Sequence, residues 1–181
     1  IDKCIMKIKR AKALSDIVIV CCHVGGQYNN VIGKFTDYIT KRIVDAGADF
    51  VICNHPHCIL NYERIKSSYV FYSLGNFSYT PNYGFYVNGV YSECSIILSL
   101  YPSQNKKIER ITYSVAIIRT DEDNISRTYL LYDLIVSSNN QQEKEILTNI
   151  HNNAIKRFTN HNPEMLLKEY ELLSINEMKK L

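Results

Sequence analysis

The chain has no tryptophan, no apolar run long enough to cross a bilayer and no strong excess of charge of either sign. A transmembrane helix needs about 18 to 20 consecutive apolar residues, so a membrane span within this chain is excluded. Lysine and arginine number 21 against 18 aspartate and glutamate, a formal net charge of +3. That excess is too small, and too dispersed along the chain, to argue for nucleic acid as a partner. Internal repeats and low-complexity tracts are absent too, which sets aside solenoids and disordered linkers. No secretory leader precedes the first helix, and an opening Ile1 rather than Met is what a fragment of a longer protein would show.

What remains is an ordinary globular composition, 46% hydrophobic and 22% charged, over 181 residues, enough for one well-buried domain. Six cysteines raise the question of disulfides. Cys21, Cys22, Cys53 and Cys94 fall inside apolar strand candidates, where a thiol acts as a small core hydrophobe. Structural, reduced thiols are therefore expected, and they favour a reducing compartment.

Periodicity divides the chain. Residues 2–14 predict a helix with Ile5, Ile8 and Ala11 on one stripe, and 16–22 a buried strand ending at His23. A loop over 23–32 leads to a helix over 33–46, with Phe35, Tyr38, Ile39 and Ile43 as its apolar stripe and Gly47 just beyond it. Strand 49–53 completes a βαβ unit, which implies parallel strands. Strands over 58–65 and 69–74 form a hairpin, a long loop covers 75–90, and strands 92–101 and 108–119 flank a turn. An edge strand is expected over 128–136. A helix over 139–157 follows, with Ile146, Leu147, Ile150 and Ala154 on one face. Asn162-Pro163 opens a final helix through Leu181.

Chemistry concentrates at two strand exits. His55 and His57 stand in Cys53-Asn54-His55-Pro56-His57, just past one strand, and His23 ends the neighbouring strand. Ligands and metals collect at the carboxyl ends of strands in open α/β sheets. Two imidazoles one residue apart can reach one ion or two nearby ions, and His23 can supply a third nitrogen. A zinc site made of Cys53, His55, His57 and Cys58 is geometrically poor, because neighbouring residues point to opposite sides. Glu63 is the one nearby carboxylate that could orient an imidazole or act as a base, and it reads equally well as a solvated hairpin residue. Asp37, Asp45 and Asp49 read as exposed or capping groups. His151 and His161 read as structural.

The segments Ser15-Asp16-Ile17-Val18-Ile19-Val20, His23-Val24-Gly25-Gly26-Gln27-Tyr28, Asp45-Ala46-Gly47-Ala48-Asp49-Phe50-Val51-Ile52, Asn54-His55-Pro56-His57 and Tyr72-Ser73-Leu74-Gly75-Asn76-Phe77, in this order, resemble the bacterial capsule synthesis family of the poly-γ-glutamate CapA type. That family is related in fold to the calcineurin-like metallophosphoesterases, and the resemblance spans roughly residues 10 to 120. It implies an α/β fold, part of a two-sheet metallophosphoesterase-like sandwich, over 1–136, with a helical extension over 137–181. It also implies a divalent metal (Mn, Fe or Zn) at His23, His55 and His57, with His55, His57 and Glu63 in catalytic roles. Gln27, Tyr28, Asn54 and Asn76 would line the substrate site. Val24 replaces the family's usual tryptophan, and Gln27 its glutamate, so Gln27 keeps the shape without the ability to ionise. The family's N-terminal half, with further ligands, does not match any part of this chain.

Two functions remain open at this point. One is a metal-dependent hydrolase acting on phosphoester or γ-glutamyl amide bonds. The other is a non-catalytic subunit that holds an anionic polymer or its precursor, alongside other capsule synthesis subunits. The family relation implies a membrane-associated location at the cell surface.

Overall fold

A computed structural model describes residues 1–78 and 93–173 of the chain. Helix α1 (Asp2–Leu14) places Asp2 in its first turn and Lys12 in its last, the arrangement the helix dipole favours. It buries Ile8, with Ile5 and Ala11 packed on the same core, so the expected stripe is the one used. Strand β1 (Ile19–His23), helix α2 (Lys34–Asp45) and strand β2 (Phe50–Asn54) form the βαβ unit, β1 and β2 being parallel with His23 opposite Asn54. Asp49 fixes the entry to this unit. Its Oδ2 accepts from the Val18 amide at 2.7 Å, and both carboxylate oxygens accept from Lys12 Nζ at 2.8 Å.

Strands β3 (Ile59–Ile65) and β4 (Ser68–Leu74) are the expected hairpin, and β4 also runs parallel to β2. The first sheet therefore has the order β1-β2-β4-β3. The second sheet pairs β5 (Cys94–Pro102) and β7 (Ser126–Leu130) antiparallel to the long β6 (Ile108–Thr120). Helices α3 (Leu131–Ser137) and α4 (Gln141–Thr159) follow, α4 opening on Asn140, whose Oδ1 accepts from the amides of Gln142 and Glu143.

Two cores hold these layers together. One lies between the first sheet and α1 and α2, with Val51, Cys53, Val70 and Tyr72 at its centre. The other lies between the two sheets and α3 and α4, where the Phe158 ring meets Tyr113 at 5.1 Å, Tyr62 at 5.3 Å and Phe71 at 6.0 Å. Burying a side chain such as Phe158 contributes on the order of 2 to 3 kcal/mol. The expected α/β sandwich is the fold observed.

Four local expectations are corrected. On α2 the buried residues are Thr36, Thr40, Ile43 and Val44, while Phe35 and Tyr38 are exposed. Burial of Thr40 is tolerated because its hydroxyl donates to the Thr36 carbonyl at 2.9 Å. On α4 the inward face is Leu147, His151, Ala154, Ile155 and Phe158, with Ile146 outside. The expected edge strand over 128–136 stops at Leu130, because Leu131 and Ile135, one helical turn apart, are both buried as α3. The helix expected from Pro163 gives way to β8 (Tyr170–Leu173), which takes an open stretch of the β6 edge around Ile111–Tyr113, with Tyr170 stacked on Tyr113 at 5.3 Å. The loop expected over 75–90 lies outside the described residues from position 79 onward, as does the end of the expected last helix.

Candidate functional site

The parallel pairing of β1 and β2 ends with His23 opposite Asn54, and the chain turns sharply at once in both places. Val24 N donates to the Asn54 carbonyl at 2.8 Å, and Tyr28 N donates to the Pro56 carbonyl at 2.9 Å, so the two exit loops are stitched together through backbone. Gly25 makes this possible. Its φ is +136°, and a Cβ there would stand 2.9 Å from Pro56 Cγ. Sequence reasoning passed over Gly25 as a positioning element, although a Gly-Gly pair facing a His-Pro-His turn was the available signal.

The stitching brings His23 and His55 together: His55 Nδ1 lies 2.9 Å from His23 Nε2, the rings edge to face with centroids 4.7 Å apart. His57 belongs to a neighbouring group. Its Nδ1 lies 2.9 Å from Asn76 Oδ1, while Asn76 Nδ2 donates to the His57 carbonyl at 3.4 Å. With the amide nitrogen already donating, the Asn76 oxygen accepts, so the proton is on Nδ1 of His57 and Nε2 presents its lone pair. Tyr28 stacks on His57 at 5.4 Å, and the His55 and His57 centroids are 6.0 Å apart. Asn76 is itself placed by Gly75, whose backbone bridges to Ser95 on β5 and whose φ is +81°.

Of the remaining expected site residues, Asn54 sits at the β2 exit and accepts from the Leu74 amide at 3.3 Å, tying β2 to β4. Gln27 is exposed in the loop between His23 and α2. Glu63 is not brought to the histidines. It lies four residues along β3 from Ile59, about 13 Å at the rise of a strand, and its Oε2 accepts from the Tyr72 hydroxyl at 2.8 Å. Burial, and then this carboxylate, push the Tyr72 hydroxyl above its ordinary range. His151 is buried in α4, and His161 follows the end of that helix.

All six cysteines are free. Cys53, Cys58 and Cys94 are buried as structural thiols, and burial pushes Cys94 up to about 12. Cys21 departs from expectation by being exposed, because it shares the outward parity of Ile19 and His23 on β1. Beneath the histidines, Cys22 and Cys53 stand opposite in register, and their thiol–thiol hydrogen bond lowers Cys22 and raises Cys53.

A hollow of about 420 Å³ opens beside the His23–His55 pair, with Gly25 and Gly26 on one side and Phe35 and Thr36 of α2 on the other. Two nitrogens on one tetrahedral ion at about 2.05 Å would be about 3.3 Å apart, so the pair needs to open by only a few tenths of an ångström to share a cation. Among the described residues no third His, Cys, Asp or Glu joins them in a cluster able to hold a metal. The described residues thus offer a cation two neighbouring nitrogens, with no third such ligand beside them.

The fold and these strand exits define an α/β sandwich with a histidine-bearing rim at the carboxyl ends of parallel strands. Residues 1–80 match the family described as bacterial capsule synthesis protein PGA_cap. Over 66 residues the chain is 39% identical to the capsule biosynthesis protein CapA of Bacillus anthracis, covering 36% of this chain and 16% of that protein. It is 39% identical over 70 residues to the PGA biosynthesis protein CapA of Bacillus subtilis (strain 168), covering 39% and 18%. An uncharacterized protein of Sinorhizobium fredii (strain NBRC 101917 / NGR234), y4sH, is 34% identical over 74 residues, covering 40% and 16%. The capsule synthesis resemblance is thus borne out over residues 1–80, where the chain is similar to CapA-type proteins. The chain covers less than a fifth of the length of these relatives. No helix among the described residues is long and apolar enough to cross a membrane.

Proposed function

We propose that this chain contributes part of a divalent-cation-dependent hydrolytic site to capsule polymer biosynthesis, acting on phosphoester or γ-glutamyl amide bonds. The observation that carries the reading is the 2.9 Å approach of His23 Nε2 and His55 Nδ1 at two adjacent strand exits beside an open hollow. His23 and His55 would hold the ion, with any further ligands supplied from outside the described residues. A bound Mn, Fe or Zn ion would supply Lewis acidity toward a phosphoryl or acyl oxygen and acidify water. His57, kept in its Nδ1–H form by Asn76, would offer Nε2 as a proton acceptor or a hydrogen-bond acceptor at the rim. Tyr28 would cover one face of that ring and limit its motion. Asn54 and Gln27 would contribute neutral hydrogen-bonding groups toward a polar substrate.

A second reading, a subunit that holds the anionic polymer without cleaving it, is favoured by two features. No carboxylate joins the histidines among the described residues, and the loop carries the non-ionising Gln27. Metal analysis of the full-length protein, with His23→Ala and His55→Ala as comparisons, tests the site. Stoichiometric metal that falls severalfold in either variant, with turnover of a phosphodiester or γ-glutamyl substrate, supports the first reading. Metal without turnover supports the second. Metal content indifferent to both substitutions refutes the site.

A further inference from the structure

An open space larger than the one at the histidines lies elsewhere in the described residues. A cleft of about 610 Å³ lies between the start of β3, the loop before α2 and the last turns of α4. Its polar lining consists of Asn30, Asn61, Asn153, Lys156, Arg157 and Asn160, four carboxamides and two cations, with no carboxylate. On α4, positions 153, 156 and 157 fall at offsets 0, 3 and 4 on one helical stripe, and Asn160 is the C-cap just beyond them. Cations in a last helical turn complement the helix dipole, but that accounts for neither the amides facing them from Asn30 and Asn61 nor the open volume between.

Arg157 is the informative residue. Of the four half-buried arginines, Arg42 and Arg119 are ion-paired with Asp2 and Glu143, and Arg110 lies over the Tyr101 ring at 4.0 Å. Arg157 has neither kind of partner among the described residues. Its charge acts inward, toward the Cys58 thiol, which it lowers against the larger upward push of burial. The cleft wall is built from chain segments that adjoin the histidine loops. Ile59, on its wall, follows His57 by two residues, and the Asn29 carbonyl beside Asn30 accepts from Cys58 Sγ at 3.4 Å.

We infer that this cleft is a binding subsite for an acidic, amide-linked chain, with Lys156 and Arg157 taking carboxylates and Asn30, Asn61, Asn153 and Asn160 pairing with amide groups. A guanidinium offers a bidentate match to a carboxylate, and a carboxamide offers one donor and one acceptor edge to a peptide-like amide. Four amide side chains are more than a simple phosphate site would use. The inference rests on the reading that this chain handles an anionic capsule polymer, and it adds where the polymer lies before it reaches the histidine rim.

The test is fluorescence anisotropy with a labelled γ-linked glutamate oligomer on the full-length protein, with the neutral γ-linked isoglutamine oligomer (α-carboxylates amidated) and inorganic polyphosphate as competitors. The glutamate oligomer is expected to bind, to weaken with salt and to resist the neutral competitor. Lys156→Gln combined with Arg157→Gln should reduce affinity about tenfold or more, the scale of two charge-assisted contacts. Lys144→Gln, which removes one cation at the other end of the same helix, should leave it within about twofold if local contacts rather than net charge decide. Asn153→Asp, an exposed change that leaves both cations in place, should also weaken binding and guards against misfolding of the double variant. Undiminished binding in both variants overturns the subsite while leaving the polymer-handling reading standing. Absence of oligomer binding to the unmodified protein overturns that reading and the subsite together. Polyphosphate binding more tightly than the oligomer, in an Arg157-dependent way, overturns the assignment to a carboxylate chain.

Discussion

Replacing Gly75 by alanine should be among the most damaging single-methyl changes in the chain. Gly75 has φ +81°, and a Cβ there would stand 2.3 Å from the Cys94 carbonyl oxygen and 3.1 Å from Ser95 Cα. Both are backbone atoms of the second sheet, so no rotamer change can clear them. The left-handed conformation costs an L-residue about 1 to 2 kcal/mol. Forcing a methyl against fixed atoms adds about 1 to 3 kcal/mol. A total of about 2 to 5 kcal/mol is a large share of the roughly 5 to 15 kcal/mol that holds a domain folded. At a urea slope of about 2 kcal/mol/M it lowers the unfolding midpoint by about 1 to 2.5 M. Gly33→Ala is the comparison, because its Cβ would meet only Thr36 Oγ1 at 3.9 Å and its φ of −72° suits any residue. It should shift stability by no more than about 0.5 kcal/mol. If the Gly75 variant unfolds at the same urea concentration as the Gly33 variant, the close approach of β4 to β5 is not what positions Asn76.

Two further outcomes follow from single contacts. Asn76→Ala removes both hydrogen bonds to His57, so nitrogen NMR of that ring should show the Nδ1–H tautomer losing population, with a stability loss of about 1 to 2 kcal/mol; an unchanged tautomer would mean Asn76 does not orient it. Burial holds His151 below its ordinary value, so the folded state keeps it neutral while an unfolded chain takes a proton near pH 6.5. That stabilisation is present above about pH 6.5 and lost as pH falls through the folded value, so the urea midpoint should drop between about pH 7.5 and pH 5.5. His151→Leu should flatten the drop, and the carboxylates lowered by ion pairs or hydrogen bonds, such as Glu143 and Glu169, titrate too low to mimic it.

The βαβ unit and the hairpin were legible because apolar runs bounded by turns specify strands, and the run Phe50-Val51-Ile52-Cys53 has no helical alternative at that length. The histidine exits were legible for the same reason: a strand's end fixes what comes next. What sequence could not supply was rotation and company. Phe35 and Tyr38 were expected inside α2 on hydrophobicity alone, yet Thr36 and Thr40 take the buried face, where the Thr40 hydroxyl bonds to the helix's own carbonyls at Thr36 and Asp37. Glu63 was close to the histidines in number but not in space, since a hairpin strand carries it away from the rim at about 3.3 Å per residue. The cleft under α4 was invisible because its parts come from positions near 30, 60 and 157, and only tertiary packing of Phe158 on Tyr62 and Phe71 brings them together.

Backbone strain separates structural need from chemical need at the rim. Tyr28, His55 and His57 all have positive φ, at 53°, 146° and 57°. Such residues cost on the order of 1 to 3 kcal/mol each, and glycine would remove most of that cost. Packing alone therefore favours glycine at 55 and 57, as it does at Gly25 and Gly75. The chain carries imidazoles there instead, one against His23 and one clamped by Asn76, with Tyr28 laid over the second. The strain is held by the backbone contacts that stitch the two exit loops, Tyr28 N to Pro56 O and Val24 N to Asn54 O. These strained positions hold ring nitrogens at defined places, the observation that motivates the reading of the His23–His55–His57 rim as a site of chemistry.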